Sequence, residues 1–470
     1  MLSPISDNPP MVTYAILRRQ AGDWANAQRL RLGNLRSSRF VRNVGILSGG
    51  AAIGHAFTLA LAPLLTRIYG PAEFGALGLF TSLLSVAAVA SGLQYELSIV
   101  SASDEAEAEY LTLAAMVFAF PASMVAGGVC GLLIRFSILG FGGLSWSTPL
   151  LLTLAMCFVG VFAALRYWCL REEQFGRVSQ AVVVQSAARV ILQTVFGVAG
   201  SHAGGLLAGE TAGRCLGMSR IVRSAWPALR RRLANFRWKE LTEALWRNRN
   251  FPLYSLPSSL LDSLCMGLTI PLLTRLYGPS VGGHYSLVWR AISVPSVLIT
   301  GAVADTFHSR LAICAQQTPA RVMALFNRTA GSLLLLGVVP ASILWFWGEP
   351  LFRWVFGVQW ALAGAMASLV APWYLAQFVV SPVSRAVFVL SGQKTKLAWD
   401  VLYLGSLLAT FSIARSRGMA PLEAIRVLAV VSTALFIVYF LLLIFIIVQF
   451  SSRQSARNLI PELLPERPGE

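Results

Sequence analysis

Charge is the commodity this sequence has least of. Asp, Glu, Lys and Arg make up only 13% of its residues, about half the share of a soluble globular domain. With 56% hydrophobic residues and a mean hydropathy of +0.65, an ordinary water-soluble fold is excluded. Histidine is nearly missing too. His55, His202, His284 and His308 are scattered and form no HExxH pair, so neither a metal site nor a metal cofactor is expected. Of the six cysteines, five lie in hydrophobic stretches and none forms a CxxC pair, which excludes zinc and disulfide frameworks and leaves them as small apolar packing residues. Acidic residues are outnumbered, 21 against 38 basic ones. That surplus would suit nucleic acid, but most of it flanks hydrophobic runs, where the positive-inside rule places it. Nucleic acid is therefore not an expected partner. Arg18–Arg19 are followed by no nearby apolar core, so no cleavable signal peptide is expected.

Long apolar runs take the place of charge. About 20 residues of helix cross about 30 Å of hydrocarbon, and such runs recur near 43–66, 75–100, 110–134, 148–170, 178–199 and 203–222. They resume near 252–274, 281–302, 329–347, 363–390, 398–414 and 427–448. The expectation is an all-α polytopic membrane protein with about twelve transmembrane helices in two six-helix lobes, 43–222 and 252–448. A basic N-terminal tail (1–42), a basic linker (223–251) and a C-terminal tail (449–470) complete it. Lys and Arg crowd the tails, the linker and the even-numbered loops. The alternate side carries Arg67, Arg135, Arg275, Arg353, Arg415, Arg417 and Arg426. This asymmetry predicts that both termini and the linker are cytoplasmic. One inner loop is acidic instead, at Asp104, Glu105, Glu107 and Glu109, but carboxylates carry little topological weight.

An internal repeat relates the lobes. Pro63-Leu-Leu-Thr-Arg-Ile-Tyr-Gly-Pro71 returns as Pro271-Leu-Leu-Thr-Arg-Leu-Tyr-Gly-Pro279, eight of nine positions identical at an offset of 208, with Gly75 mapping onto Gly283. Weaker echoes pair Phe141-Gly142 with Phe356-Gly357, and Arg166, Gln174 and Arg177 with Arg385, Gln393 and Lys396. An even number of spans separates the two turns, so the lobes have the same orientation, a recurring transporter design with the substrate site between halves. Glycine and proline end a helix and open a turn. Tyr69 and Tyr277 read as interfacial rings, and Arg67 and Arg275 as snorkelling cations.

These turns, the following Phe74-Gly75, then Gln94-Tyr95-Glu96 and the acids near Asp104 resemble the Wzx-type polysaccharide biosynthesis proteins. Those are oligosaccharide flippases of the multidrug/oligosaccharidyl-lipid/polysaccharide (MOP) exporter superfamily. Gly348-Glu-Pro-Leu-Phe352, Trp360, Ala371-Pro-Trp373 and Gln377 resemble the family's second half, so the likeness runs from Asn43 to Val448. It implies translocation of an undecaprenyl-diphosphate-linked oligosaccharide from the inner to the outer leaflet of a bacterial plasma membrane. It also implies membrane lipids as surroundings, with a polysaccharide polymerase and a chain-length regulator as candidate protein partners. The long basic tail, and Asp262 in place of a neutral polar residue, depart from the family's pattern.

Independently of any family, function should sit where charge is buried at a cost. An arginine at a helix centre costs about 2.5–3.5 kcal/mol on insertion scales, so such residues face the bundle interior or water. Arg189 and Arg290 fall near mid-span, and Arg166 and Arg385 nearer the cytoplasmic ends. Guanidinium forks bind phosphate oxygens in pairs, which makes these four the candidate contacts for a lipid diphosphate. Arg214 follows Glu210 by one helical turn and reads as a self-neutralising pair. Glu96 reads as structural. Asp262, near the middle of its span, is the most expensive lone carboxylate, either the partner of an arginine or a carrier of coupling protons. Trp289 adjoins Arg290.

A drug or cation antiporter of the same superfamily would favour an acidic cavity, against the surplus of buried arginine. A membrane polymerase or glycosyltransferase needs catalytic carboxylates or histidines on substantial loops. No paired carboxylates or P-loop are present, so no enzyme is expected. The topology is open to direct test. Single cysteines in the Arg223–Phe251 linker should escape an impermeant thiol reagent in intact cells, while those at Tyr69–Pro71 and Tyr277–Pro279 should react. The reverse pattern would overturn the orientation.

Overall fold

A computed structural model describes residues 45–46, 49–318, 321–390 and 393–463. The basic tail 1–42 lies outside the described residues. The first lobe comprises α1 (Gly49–Ile68), α2 (Pro71–Ala88), α3 (Glu105–Arg135), α4 (Thr148–Arg171), α5 (Phe175–Val198) and α6 (His202–Cys215). Helices α7 (Met218–Ala234) and α8 (Trp238–Arg247) follow. The second lobe comprises α9 (Phe251–Tyr277), α10 (Pro279–Gln317), α11 (Val322–Phe356), α12 (Ala361–Val383), α13 (Gln393–Ser416) and α14 (Pro421–Leu463). Among the described residues there is no β-strand, and ten helices are long and apolar enough to cross a membrane. The chain is a multi-pass helical membrane protein.

The other two expected passages are α6 and α10. At 39 residues, α10 runs well past the expected 281–302 and carries Arg310, expected in a loop, within the helix. The expected passage 203–222 is not one helix. It stops at Cys215, the chain turns at Gly217 (φ 86°), and α7 leads away. Only glycine takes that backbone at little cost. The expected linker loop is thus largely helical. Its basic face docks on the acidic start of α3, which accounts for the dissenting acids. Arg232 Nε lies 2.6 Å from Glu109, Asn248 donates to Glu107 (2.9 Å), and the Tyr110 hydroxyl accepts from the Arg237 amide (2.9 Å).

The repeated turns meet at the seam between lobes. Gly75 on α2 lies against the Pro279 carbonyl of α10, and Gly283 on α10 lies against the Pro71 carbonyl of α2. A Cβ at Gly75 would sit 2.9 Å from the Pro279 carbonyl carbon, and one at Gly283 2.7 Å from that of Pro71. The contact is thus exchanged under the 208-residue offset, as a pseudo-two-fold axis requires. Gly78 and its equivalent Ser286 face each other on that axis. Each turn is also completed by the other lobe. The Thr66 hydroxyl donates to Phe356 O (3.2 Å), and Thr66 O accepts from Gln359 (2.7 Å) and the Trp360 indole (3.1 Å). In the other half, Gly140 packs on Thr274.

Tyr69 departs from its expected interfacial role. Its ring is 1% exposed and its hydroxyl donates to Gln193 O on α5 (2.8 Å). The motif tyrosine braces a neighbouring helix instead of marking the headgroup zone. Arg67 and Arg275 are exposed.

Overpacking a tight core costs about 1–3 kcal/mol. Gly75→Leu and Gly283→Leu should each lower the melting temperature of the purified protein by several degrees. Gly128→Leu, at a glycine with no atom within 4 Å of an added Cβ, should leave it unchanged. Equal melting of all three would remove the seam from the stability argument.

Candidate functional site

Between the lobes lies a cavity of about 1160 Å³. From α2 it takes Thr81 and Ser82 onward and nothing from the repeated turns, so it is closed at the turn end. Ser258 and Ser259, near the start of α9, and Ser384, after the end of α12, mark its extent toward the linker side. Gln94 lines it from a strained reversal: Leu93 (φ 52°) and Gln94 (φ 65°) are both left-handed, a conformation non-glycine residues seldom adopt.

One wall is built on α5 and α6. Gly205, Gly209 and Gly213 recur every fourth residue along α6, a small-residue ridge that lets membrane helices approach backbone to backbone. A Cβ at Gly209 would lie 2.7 Å from Gln193 N, and one at Gly213 2.6 Å from Arg189 N. This close approach puts Glu210 among cations. Its side chain is 2% exposed and lies 2.7 Å from Arg214 and 3.2 Å from Arg189, both through Oε1. Oε2 accepts from Gln193 (3.3 Å) and faces Arg290 of α10 at 3.9 Å. Arg290 belongs to the opposite lobe, so a single carboxylate ties three guanidiniums across the seam. Arg214 is committed to it; Arg290 is held most loosely.

The opposite wall has different chemistry. Lys396 on α13 lies 3.1 Å from Asp262 and 2.5 Å from Asp400. Asp262 is therefore not a lone carboxylate. Its partner is a lysine 134 residues away, not an arginine, and its side chain is 59% exposed. Beside it Trp399 stacks on Tyr439 with ring centroids 4.6 Å apart.

Three of the four candidate arginines, Arg189, Arg290 and Arg385, line this cavity, together with Trp289. Arg166 is not part of its lining; its guanidinium lies 6.0 Å from the Tyr167 ring centroid. Arg214 and Glu210, read in the sequence as a closed pair, belong to the same cluster as Arg189 and Arg290. The glycine ladder of α6 is the sequence signal that points to that convergence. Among the described residues no group of His, Cys, Asp and Glu is arranged to hold a metal ion.

Solved structures of membrane transporters share this helical fold. The lipid II flippase MurJ in an inward closed conformation superposes with a TM-score of 0.63 at 12% identity, covering 91% of this chain and 94% of that one. An inward-facing multidrug resistance MATE family transporter gives 0.61 at 14% identity, covering 86% and 96%. A MOP superfamily transporter from Pyrococcus furiosus, described as having a binding pocket of reverse polarity, gives 0.51 at 13% identity, covering 87% and 96%. No curated protein matches the sequence. Residues 40–307 match the polysaccharide biosynthesis protein family. The chain belongs to that family.

Removing one partner of a buried ion pair costs about 3–5 kcal/mol, whereas an exposed pair is worth about 0–1 kcal/mol. Glu210→Ala should therefore melt well below the wild type, and Asp262→Asn close to it. Melting of Glu210→Ala at the wild-type temperature would show that the arginines do not depend on this carboxylate.

Proposed function

We propose that this transporter is a flippase for an undecaprenyl-diphosphate-linked oligosaccharide, carrying it from the inner to the outer leaflet of a bacterial plasma membrane. The observation that carries the reading is the arginine cluster. Three guanidiniums around one carboxylate leave two positive charges unneutralised, matching the two negative charges of a diphosphate diester. Charge-assisted hydrogen bonds to that ligand would offset the cost of holding arginine in a low-dielectric cavity. The family's role in polysaccharide biosynthesis agrees with a sugar cargo.

Geometry and charge distribution support that direction. The seam is packed tight at the repeated turns, while the cavity extends toward the linker side, where Lys and Arg accumulate. With the linker side and both termini read as cytoplasmic from the distribution of Lys and Arg, this conformation is the one suited to loading from the inner leaflet. Alternating access then opens the α2–α10 seam and closes the linker side. Arg385 lines the cavity and serves as a further diphosphate contact; Arg166, outside it, is the least favoured of the four. Asp262, open to cavity water and joined to Lys396 and Asp400, is the candidate coupling residue. A polysaccharide polymerase and a chain-length regulator are the partners this role implies. A cation antiporter fits less well, because Lys396 sits between the two carboxylates of the second wall.

Arg290→Ala and Arg189→Ala should reach the membrane at wild-type levels and lose most flipping, scored as restored surface polysaccharide in a flippase-deficient strain. Lysine should rescue in part, keeping the charge without the planar fork. Full complementation by both alanine variants would remove the cluster from substrate handling.

A further inference from the structure

Helix α7 has three distinct faces. Met218, Ile221, Ala225, Ala228 and Leu229 are buried against the first lobe. At about 100° per residue, Val222, Trp226 and Leu233 fall on a second stripe, and all three are exposed, Trp226 to 52%. The third face carries Arg220, Arg223, Arg230 and Arg231, exposed as well. A helix with one packed side needs only one further polar side in water. The bare apolar stripe has to meet something else.

The path of α7 identifies it. Gly217 lies against α5, its Cβ position 3.3 Å from the Val184 side chain. Arg220 donates to Gln180 (2.6 Å), and Ser224 is hydrogen-bonded to Gln174 and Arg177. Helix α7 thus descends along the first turns of α5 and leaves it where that membrane span begins. Val184, Ile191 and Val195 of α5 are exposed apolar residues on the same span, so the stripe of α7 continues a lipid-facing surface to its rim. Tryptophan beside arginine at that level is the composition of a segment that meets the membrane interface. Helix α8 repeats it: Trp238 and Trp246 are 73% and 70% exposed, with the Arg249 guanidinium 4.0 Å from the Trp246 ring centroid.

We propose that the linker α7–α8 is an interfacial anchor whose tryptophan stripe enters the acyl-chain boundary and whose arginine face binds the headgroups of anionic lipids. Charge complementarity selects the lipid, since every charged residue on the exposed face of α7 is an arginine and only Arg231 among them faces a carboxylate, Glu105 at 3.9 Å. Because Glu107 and Glu109 hold the linker to α3, the anchor ties the first lobe to the bilayer surface.

The full-length protein, with a benzophenone amino acid replacing Trp226 or, separately, Val222, is reconstituted in phosphatidylcholine vesicles containing a minority of phosphatidylglycerol and irradiated. Peptide mass spectrometry then reads the adducts. Both positions should capture phospholipid, with phosphatidylglycerol several-fold above its share of the bilayer. Arg223→Gln with Arg230→Gln should keep the adducts and abolish the enrichment. The same probe at Val339, on the exposed flank of α11, should capture lipid without enrichment. Adducts to protein alone at 222 and 226, or no adducts there while position 339 reacts, would overturn the anchor. Lipid capture without enrichment would overturn the selection of anionic lipid.

Discussion

A carboxylate buried among guanidiniums is the interaction on which the cavity depends. Placed alone in this setting, Glu210 would have to give up its charge, and Arg189, Arg214 and Arg290 would repel one another in a medium that screens poorly. Together they are stable and remain net positive. The arrangement needs α5 and α6 closer than ordinary side chains allow, which the glycine ladder of α6 permits. It also needs α5 held in place. The buried tyrosine of the first repeated turn does this by bonding to Gln193 O, and the Gln193 side chain itself reaches Glu210. The turn that closes one end of the molecule and the charge that serves its centre are thus linked through one glutamine.

The seam and the cavity divide the interlobe surface between them. Toward the turns, glycine against proline carbonyl brings backbones into contact and leaves no room for solvent. Toward the linker, arginine, lysine and carboxylate side chains line the space between the lobes. An interface that is dry and close at one end and polar and open at the other is suited to rocking, because each end can be remade without breaking the helices that carry it.

Much of this was legible in the sequence. The apolar runs predicted a helical membrane bundle, and the 208-residue repeat predicted two like lobes. What resisted reading was pairing at long range. Asp262 appears isolated because its partner, Lys396, lies on another helix. Glu210 and Arg214 satisfy a local i,i+4 rule, which hides the arrival of Arg189 and Arg290. Tyr69 has the composition of an interfacial ring, and only the proximity of α5 at Gly197 makes it a buried tether. Arg166 and Arg385 share a position in the weak repeat, yet only Arg385 lines the cavity. Glycine spacing carries part of that information: a ridge of three in α6 and an exchanged pair at the seam both mark helices brought into backbone contact.

The exchanged contacts at the seam have the form of an isologous interface, the kind two identical subunits make about a two-fold axis. A homodimer must place the same residue on both sides of its axis and give both walls of a central cavity the same chemistry. Joining the halves into one chain lifts that restriction. At the axis Gly78 faces Ser286 instead of its own copy. Across the cavity, a cationic wall faces one of lysine, carboxylates and stacked rings. Covalent linkage therefore gives the molecule a polarity across its own symmetry axis, with walls of different chemistry on its two sides.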